Sequence, residues 1–363
     1  MCYGYVVRSP HAHARITKLD VAAAKRAPGV LGVYTAADVE ADKLGTLPCA
    51  VPRQRPGGKP MHSPPYRILA KDAVKLVGDA VAFVVAETLA QARDAAELVE
   101  VDYDALPSVT ATADALKPGA PAVWSDCPDN VCFVFELGNK AAVEAAFKTA
   151  HHVTKLDYSI TRVSIAPMEP RACIGEYDKY EDRYTLYTGS QGPHGMRTPI
   201  AQAVFKVPEN RVRVVSNDMG GAFGMRSGPY RENVLCMWTA KKLDRAVKWT
   251  GERTESFVSD DQARDNVSTA ELALDKDGKF LALRVSTVAN MGAYLSLLTP
   301  HSSTNNLGTL ANTYTTPAIY THVTAVFTNT PPSTRRCSPR RPAGRCPVAD
   351  PIALIPAVRG PSA

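Results

Sequence analysis

The run Ala80-Val81-Ala82-Phe83-Val84-Val85-Ala86 leaves this chain few ways to fold. It is apolar without a break, so it reads as a strand with no face to give to water. Thr88 follows and can cap a helix through Leu98, along which Leu89, Ala92, Ala96 and Val99 recur at helical spacing. Val99-Glu100-Val101-Asp102-Tyr103 then alternates like a half-buried strand. Upstream, Tyr5-Val6-Val7 and Val30 to Thr35 are strand-like. Between them Asp20 can cap a short helix, Val21 to Ala27, which Pro28-Gly29 ends. The first 110 residues therefore predict one small α/β unit, interrupted over 45–67 by a Pro/Gly/Arg-rich surface loop.

Residues 111–138, Pro/Ala-rich in their first half, read as a linker, and a second unit starts near Asn139. Ala141 to Ala150 is helical, and Val153 to Thr161 and Tyr184 to Thr188 are strands. Pro193 suits the first turn of a helix. Val212 to Val215 is a strand feeding a glycine-rich turn, and 230–243 is helical. Ser268 to Leu274 and Phe280 to Asn290 make a hairpin around Asp275-Lys276-Asp277-Gly278.

Charge and cysteine usage narrow the function classes. The formal net charge is +6, but 331–363 hold six arginines against one aspartate, so the rest carries 36 basic and 35 acidic side chains. The body is electrically neutral, and the arginine-rich end lacks the aromatic interleaving of a nucleic-acid binder. That end also has eight prolines and no Lys, Glu, Phe, Tyr, Trp or Met, so it cannot pack a core; the abrupt change in composition reads as a frame-shifted tail, with a genuine Pro/Arg linker as the alternative. No 18-residue apolar run offers a membrane span, and the start lacks the pattern of a secretory leader, which predicts a cytoplasmic protein. The eight cysteines form no CxxC pair, and the histidines do not stand at metal-triad spacing, so no side-chain metal site is expected.

Three segments could carry chemistry. Met219-Gly220-Gly221-Ala222-Phe223-Gly224 follows a strand, and its glycines let backbone approach a ligand with N–H groups unobstructed; a tight turn explains it equally well. Ser190-Gln191-Gly192-Pro193-His194 puts a neutral amide at a strand end, able to donate to an oxo or phosphate oxygen beside a helix start, or simply to cap that helix. Glu169 and Arg171, in Pro167-Met168-Glu169-Pro170-Arg171, are either catalytic or an ion pair in a proline-stiffened loop.

Taken together these segments resemble the molybdenum hydroxylases: xanthine dehydrogenase, aldehyde oxidase and the carbon monoxide dehydrogenase large chain. Val7-Arg8-Ser9-Pro10-His11-Ala12-His13-Ala14-Arg15-Ile16, Val77-Gly78-Asp79-Ala80-Val81-Ala82 and Ala95 to Tyr103 resemble the family's α/β hammerhead domain. Pro167 to Arg171, Gln191, Gly220 to Gly224 and Asn290-Met291-Gly292-Ala293-Tyr294 resemble its first molybdopterin-binding domain. The style is nearest to the bacterial carbon monoxide dehydrogenase-like large subunits.

The resemblance implies an α+β fold: a hammerhead domain over 1–110 without its first strand, a linker over 111–138, the first part of a molybdopterin-binding domain over 139–332, and a disordered Pro/Arg-rich tail over 333–363. It implies a molybdenum–molybdopterin cofactor, in bacteria the cytosine dinucleotide form, addressed by Gln191, Gly220, Gly221, Ala222, Phe223 and Gly224. It further implies oxidation of an aldehyde, an N-heterocycle or carbon monoxide with water as oxygen source, and iron–sulfur and FAD subunits as partners. The match is not seen to resume after Asn329-Thr330-Pro331-Pro332, so the family's second molybdopterin domain and glutamate base are not found, and no catalytic residue is assigned. Ser227 stands near where xanthine-type members carry an acid, which weighs against a purine substrate. The alternative is a truncated, catalytically inactive remnant with no turnover as an isolated chain.

Overall fold

The computed structural model describes residues 1–334 apart from 306 and 312. The tail assigned to 333–363 falls, from 335 on, outside the described residues.

The amino-terminal unit contains strands β1 (Cys2–Arg8), β2 (Ala14–Asp20), β3 (Val30–Tyr34), β4 (Ala73–Val74), β5 (Ala80–Ala86) and β6 (Glu100–Ala105). Helices α1 (Ala22–Arg26), α2 (Ala36–Ala41) and α3 (Leu89–Glu97) lie between them. The apolar run is β5, every residue of it buried, with β1 and β3 antiparallel on its two sides. Thr88 caps α3 as its sequence predicts: its hydroxyl accepts from the Gln91 amide, and the Gln91 side chain reaches back to the Thr88 amide. His11 and His13 fall in the bend between β1 and β2.

The second unit adds β7 (Val131–Gly138), α4 (Lys140–Thr149), β8 (His152–Ile160), β9 (Ala172–Asp178), β10 (Arg183–Thr188) and α5 (Pro193–Pro199). It continues through β11 (Val212–Val215), α6 (Arg231–Leu243), β12 (Val247–Thr250), α7 (Arg253–Ser259) and β13 (Gln262–Ala263). The last strands are β14 (Asn266–Leu274), β15 (Phe280–Gly292), β16 (Ala318–Phe327) and β17 (Ser333–Thr334). β14 and β15 form the expected hairpin, with Gly278 at φ 76° in its turn. They sit in a five-stranded sheet of order β7-β16-β15-β14-β8.

Two readings of the sequence need correcting. The segment 111–138 is not a plain linker, because β7 pairs with β16 from Val131↔Val326 to Gly138↔Tyr320. The two successive units that the sequence predicts also share a sheet. A seven-stranded sheet of order β11-β10-β9-β12-β1-β5-β3 runs through both, joined where β1 pairs in parallel with β12 at Cys2↔Val247. Beyond Pro332, where composition changes, Ser333 and Thr334 are buried and pair with Gln262 and Ala263.

Helix α6 passes through the middle of the molecule, and every residue from Arg231 to Ala240 is buried. Its approach to β9 requires Gly175, since a Cβ there would collide with the helix backbone at Cys236 and Met237. The first turn of α6 is polar yet buried, because the charges that meet it come from both units. Glu232 accepts from Arg8 of β1 at 2.6 Å and from Arg171 at 2.8 Å. Arg231 pairs with the buried Asp79, which also accepts from the Tyr294 hydroxyl at 2.9 Å. These bonds seal the joint between the units. Among the described residues no helix is long and apolar enough to cross a membrane.

Candidate functional site

Three loops meet at one end of the seven-stranded sheet, and strand direction puts them there. β9 and β10 are antiparallel, with Cys173 opposite Thr188, while β10 and β11 are parallel, with Tyr187 opposite Val215. The chain entering β9 (167–171), the chain leaving β10 (189–192) and the chain after β11 (216–230) therefore share that end.

Hydrogen bonds then draw the predicted residues together. The Gly224 amide donates to Gln191 Oε1 at 2.9 Å, and the Ser227 hydroxyl donates to the same oxygen at 3.2 Å. The Gln191 amide donates to the Arg226 carbonyl at 3.0 Å. A backbone N–H can only donate, so Oε1 must face Gly224, and the Nε2 donors of Gln191 face the other way, toward solvent. Helix α5 begins just beyond, with Pro193 in its first turn as expected, and continues from Ile200 to Phe205 as a π-helical segment.

Gly220 and Gly224 each give their amide to a side chain of a neighbouring loop, Glu169 and Gln191. Among the described residues the amides of Gly221, Ala222 and Phe223 donate to no protein acceptor. The loop keeps this shape through left-handed backbone at Gly221 and Gly224, both at φ 107°, and at Phe223, φ 49°. A Cβ on Gly220 would lie 2.7 Å from Glu169 Cβ, so that glycine is required by close approach. Three adjacent unengaged N–H groups beside an outward carboxamide form a neutral donor cradle, chemistry that suits an oxygen-rich, anionic or oxo-bearing group. A large pterin-type cofactor fits that donor set and the open backbone around it. Met168, 92% exposed, and Phe223, 47% exposed, offer apolar contact on the same solvent-facing side.

The sequence had offered Glu169 and Arg171 as partners; the structure separates them. Glu169 Oε2 accepts from the Gly220 amide at 2.6 Å, and Oε1 accepts from Arg226 Nη1 at 2.7 Å. Arg226 Nη2 also donates to the carbonyls of Glu169 at 2.6 Å and Pro170 at 3.2 Å. The Arg226 hydrogen bond holds the Glu169 carboxyl below its usual range, against the opposing effect of burial. Arg171 turns inward, donating to Glu232 at 2.8 Å and to Asp260 at 2.5 Å, with Tyr230 against its guanidinium at 3.7 Å. Behind it, burial pushes the Asp261 carboxyl up to about 7. Arg226, Glu232 and Asp260 had no signal beyond being charged residues; only the fold shows that they are buried.

The family model for the molybdopterin cofactor-binding domain matches residues 123–347, and that for the aldehyde oxidase and xanthine dehydrogenase a/b hammerhead domain matches residues 1–107. The carbon monoxide dehydrogenase large chain of Afipia carboxidovorans is 34% identical over 342 residues, covering 91% of this chain and 41% of that protein. Among solved structures, reconstituted CO dehydrogenase from Oligotropha carboxidovorans superposes with a TM-score of 0.83 at 32% identity, covering 93% of this chain and 42% of the other. Quinoline 2-oxidoreductase from Pseudomonas putida 86 gives a TM-score of 0.82 at 32% identity, with 93% and 42% coverage. The chain spans about two-fifths of the length of these relatives.

Proposed function

The chain belongs to the molybdenum hydroxylase family of xanthine dehydrogenase, aldehyde oxidase and carbon monoxide dehydrogenase large subunits, and from that premise we propose that its three-loop site holds the molybdenum–molybdopterin cofactor of a hydroxylase. The observation that carries this reading is the bond from the Gly224 amide to Gln191 Oε1. It joins two segments 33 residues apart into one cradle and turns the Gln191 Nε2 donors outward.

In this reading the amides of Gly221, Ala222 and Phe223 and the Gln191 carboxamide hold and orient the cofactor. When bound, the cofactor supplies the two-electron oxidation of a substrate carbon with water as the oxygen source. The protein's part is electrostatic: fixed N–H dipoles need no reorganisation as charge develops beside them. The substrate class is an aldehyde, an N-heterocycle or carbon monoxide. Relatives named for carbon monoxide and for quinoline support that range. The cytosine dinucleotide form of the cofactor, iron–sulfur and FAD subunits as electron acceptors, and a cytoplasmic location complete the proposal.

One observation favours a second reading, cofactor binding without turnover by this chain alone. Glu169 is the carboxylate bonded into the cradle, yet both its oxygens are engaged and its affinity for a proton is lowered. It is poorly suited to act as a general base, a role worth about 10²–10⁴ in rate. Expressing the 363-residue chain in a molybdenum-replete host and measuring bound metal and pterin tests the cofactor reading. Molybdenum and pterin should co-purify with the wild type and fall in Gln191→Ala. Metal and pterin at background in both proteins would remove the reading. Dye-linked oxidation of an aldehyde by the loaded chain decides between turnover and binding alone.

A further inference from the structure

Arg226 is 2% exposed and touches both of the other loops. Its guanidinium binds Glu169 through two contacts, Nη1 to Oε1 at 2.7 Å and Nη2 to the backbone oxygen at 2.6 Å, and Nη2 also donates to the Pro170 carbonyl at 3.2 Å. Its own carbonyl receives the Gln191 amide at 3.0 Å. Glu169 in turn exchanges bonds with Gly220, accepting its amide at 2.6 Å and donating to its carbonyl at 3.2 Å. The bonds close a ring, 169 to 220, 169 to 226, 226 to 191 and 191 to 224. The ring pins both ends of the loop and leaves 221–223 projecting between the pins. A second observation is independent of these bonds: Gly189 packs so close that a Cβ on it would collide with Arg226 Nη1. The backbone leading to Gln191 is shaped around this guanidinium.

We propose that Arg226 is a positioning residue, one that makes no cofactor contact but uses its planar fork to hold Gln191 and the 221–223 amides in register with each other. The proposal rests on the cofactor reading above for what is being positioned, and on the protein's own bonds for how. A lysine ammonium can satisfy Glu169 Oε1 but cannot reproduce two directed N–H forks onto side chain and backbone together.

The test compares wild type with Arg226→Lys and, as an approach from the other side, Gly189→Ala, in the full chain. The first readout is hydrogen exchange of peptides covering 188–192 and 219–227 without cofactor. Both variants should exchange the Gly220 and Gly224 amides about 10-fold faster, while peptides from β14 and β15 keep wild-type protection. The second readout is molybdenum retained after loading, which should fall about 10-fold, the usual scale for removing a group that orients a metal site from behind. Wild-type exchange at 219–227 in Arg226→Lys would overturn the proposal whether or not cofactor binds. Faster exchange throughout the sheet would overturn it too, since that is a general structural role. Local loosening in the variants, with no molybdenum in any protein including wild type, would uphold the ring and dismiss the cofactor reading instead.

Discussion

Replacing Glu232 with glutamine should unfasten the two units from each other. The Glu232 carboxylate, 3% exposed, holds Arg8 from the amino-terminal unit at 2.6 Å and Arg171 from the loop entering β9 at 2.8 Å. Each arginine has a second partner, Glu255 at 2.7 Å and Asp260 at 2.5 Å, so neither is stranded outright. An amide of the same size keeps the packing but replaces a charged acceptor with a neutral oxygen and an N–H that faces guanidinium. Breaking a buried ion pair in this way costs about 3–5 kcal/mol. With unfolding entropy near ~2.1 cal/mol/K per residue over roughly 330 ordered residues, that loss lowers Tm by about 4–7 °C. Acid titration gives the sign of the pH effect. The two arginines hold the Glu232 carboxyl well below its usual range in spite of burial, so folding favours the ionised form. Its contribution is complete above the unfolded carboxyl pKa of about 4.3 and drains away as pH falls below it. Thermal scans at pH 7 and pH 3.5 should therefore show a large deficit for Glu232→Gln at the higher pH and a smaller one at the lower. A Tm within 1 °C of wild type at pH 7 would mean that the joint does not depend on this charge. Combining the change with Arg8→Met should give less than the sum of the two, because each removes the same bond.

Asp261 works in the opposite direction: burial raises its carboxyl to about 7, so the folded state prefers the protonated form and its favourable contribution is lost as pH rises through 7. Asp261→Asn should match wild type only below about pH 3, under the unfolded carboxyl pKa of about 3.9, and gain on it progressively from there to pH 8, by up to about 4 kcal/mol for a shift of roughly three units, read from urea midpoints. In the cradle, Gly221→Val places a side chain at φ 107° with its Cβ 3.1 Å from Pro167 and from Phe223. It should lose about 1–3 kcal/mol and the retained molybdenum with it. Gly192→Ala, where nothing lies within 4 Å of the new Cβ, should leave both unchanged, and equal metal content in the two variants would contradict the crowding argument.

The part of the site legible in the sequence was the part built on backbone exceptions. Gly220, Gly221 and Gly224 announce an approach or a dihedral that other residues resist, and Pro193 announces a helix start, so Gln191 could be placed at a strand end facing a bend. The clamp that holds them was invisible for a physical reason. Glu169 lies two residues from Arg171 and 57 from Arg226, and nearness along the chain suggested the wrong pair. Only the directions of β9 and α6 decide that Arg171 turns into the interior toward Glu232 while Arg226 reaches back under the loop. The same limit applies to the fold. Val131 to Leu137 carries the β-branched and aromatic content of a strand, but the Pro/Ala-rich stretch before it reads as a connector, and its partner β16 lies more than 180 residues further on. β1 likewise joins β12 across 245 residues, at Cys2↔Val247. Local patterning reports which segments can be strands; it does not report which of them meet. Hence a chain that reads as two successive units is built around one shared sheet. The charges that look like ordinary surface residues in Arg8, Glu232, Arg171 and Arg226 are what fasten the amino-terminal unit, the central helix and the three candidate-site loops into a single frame.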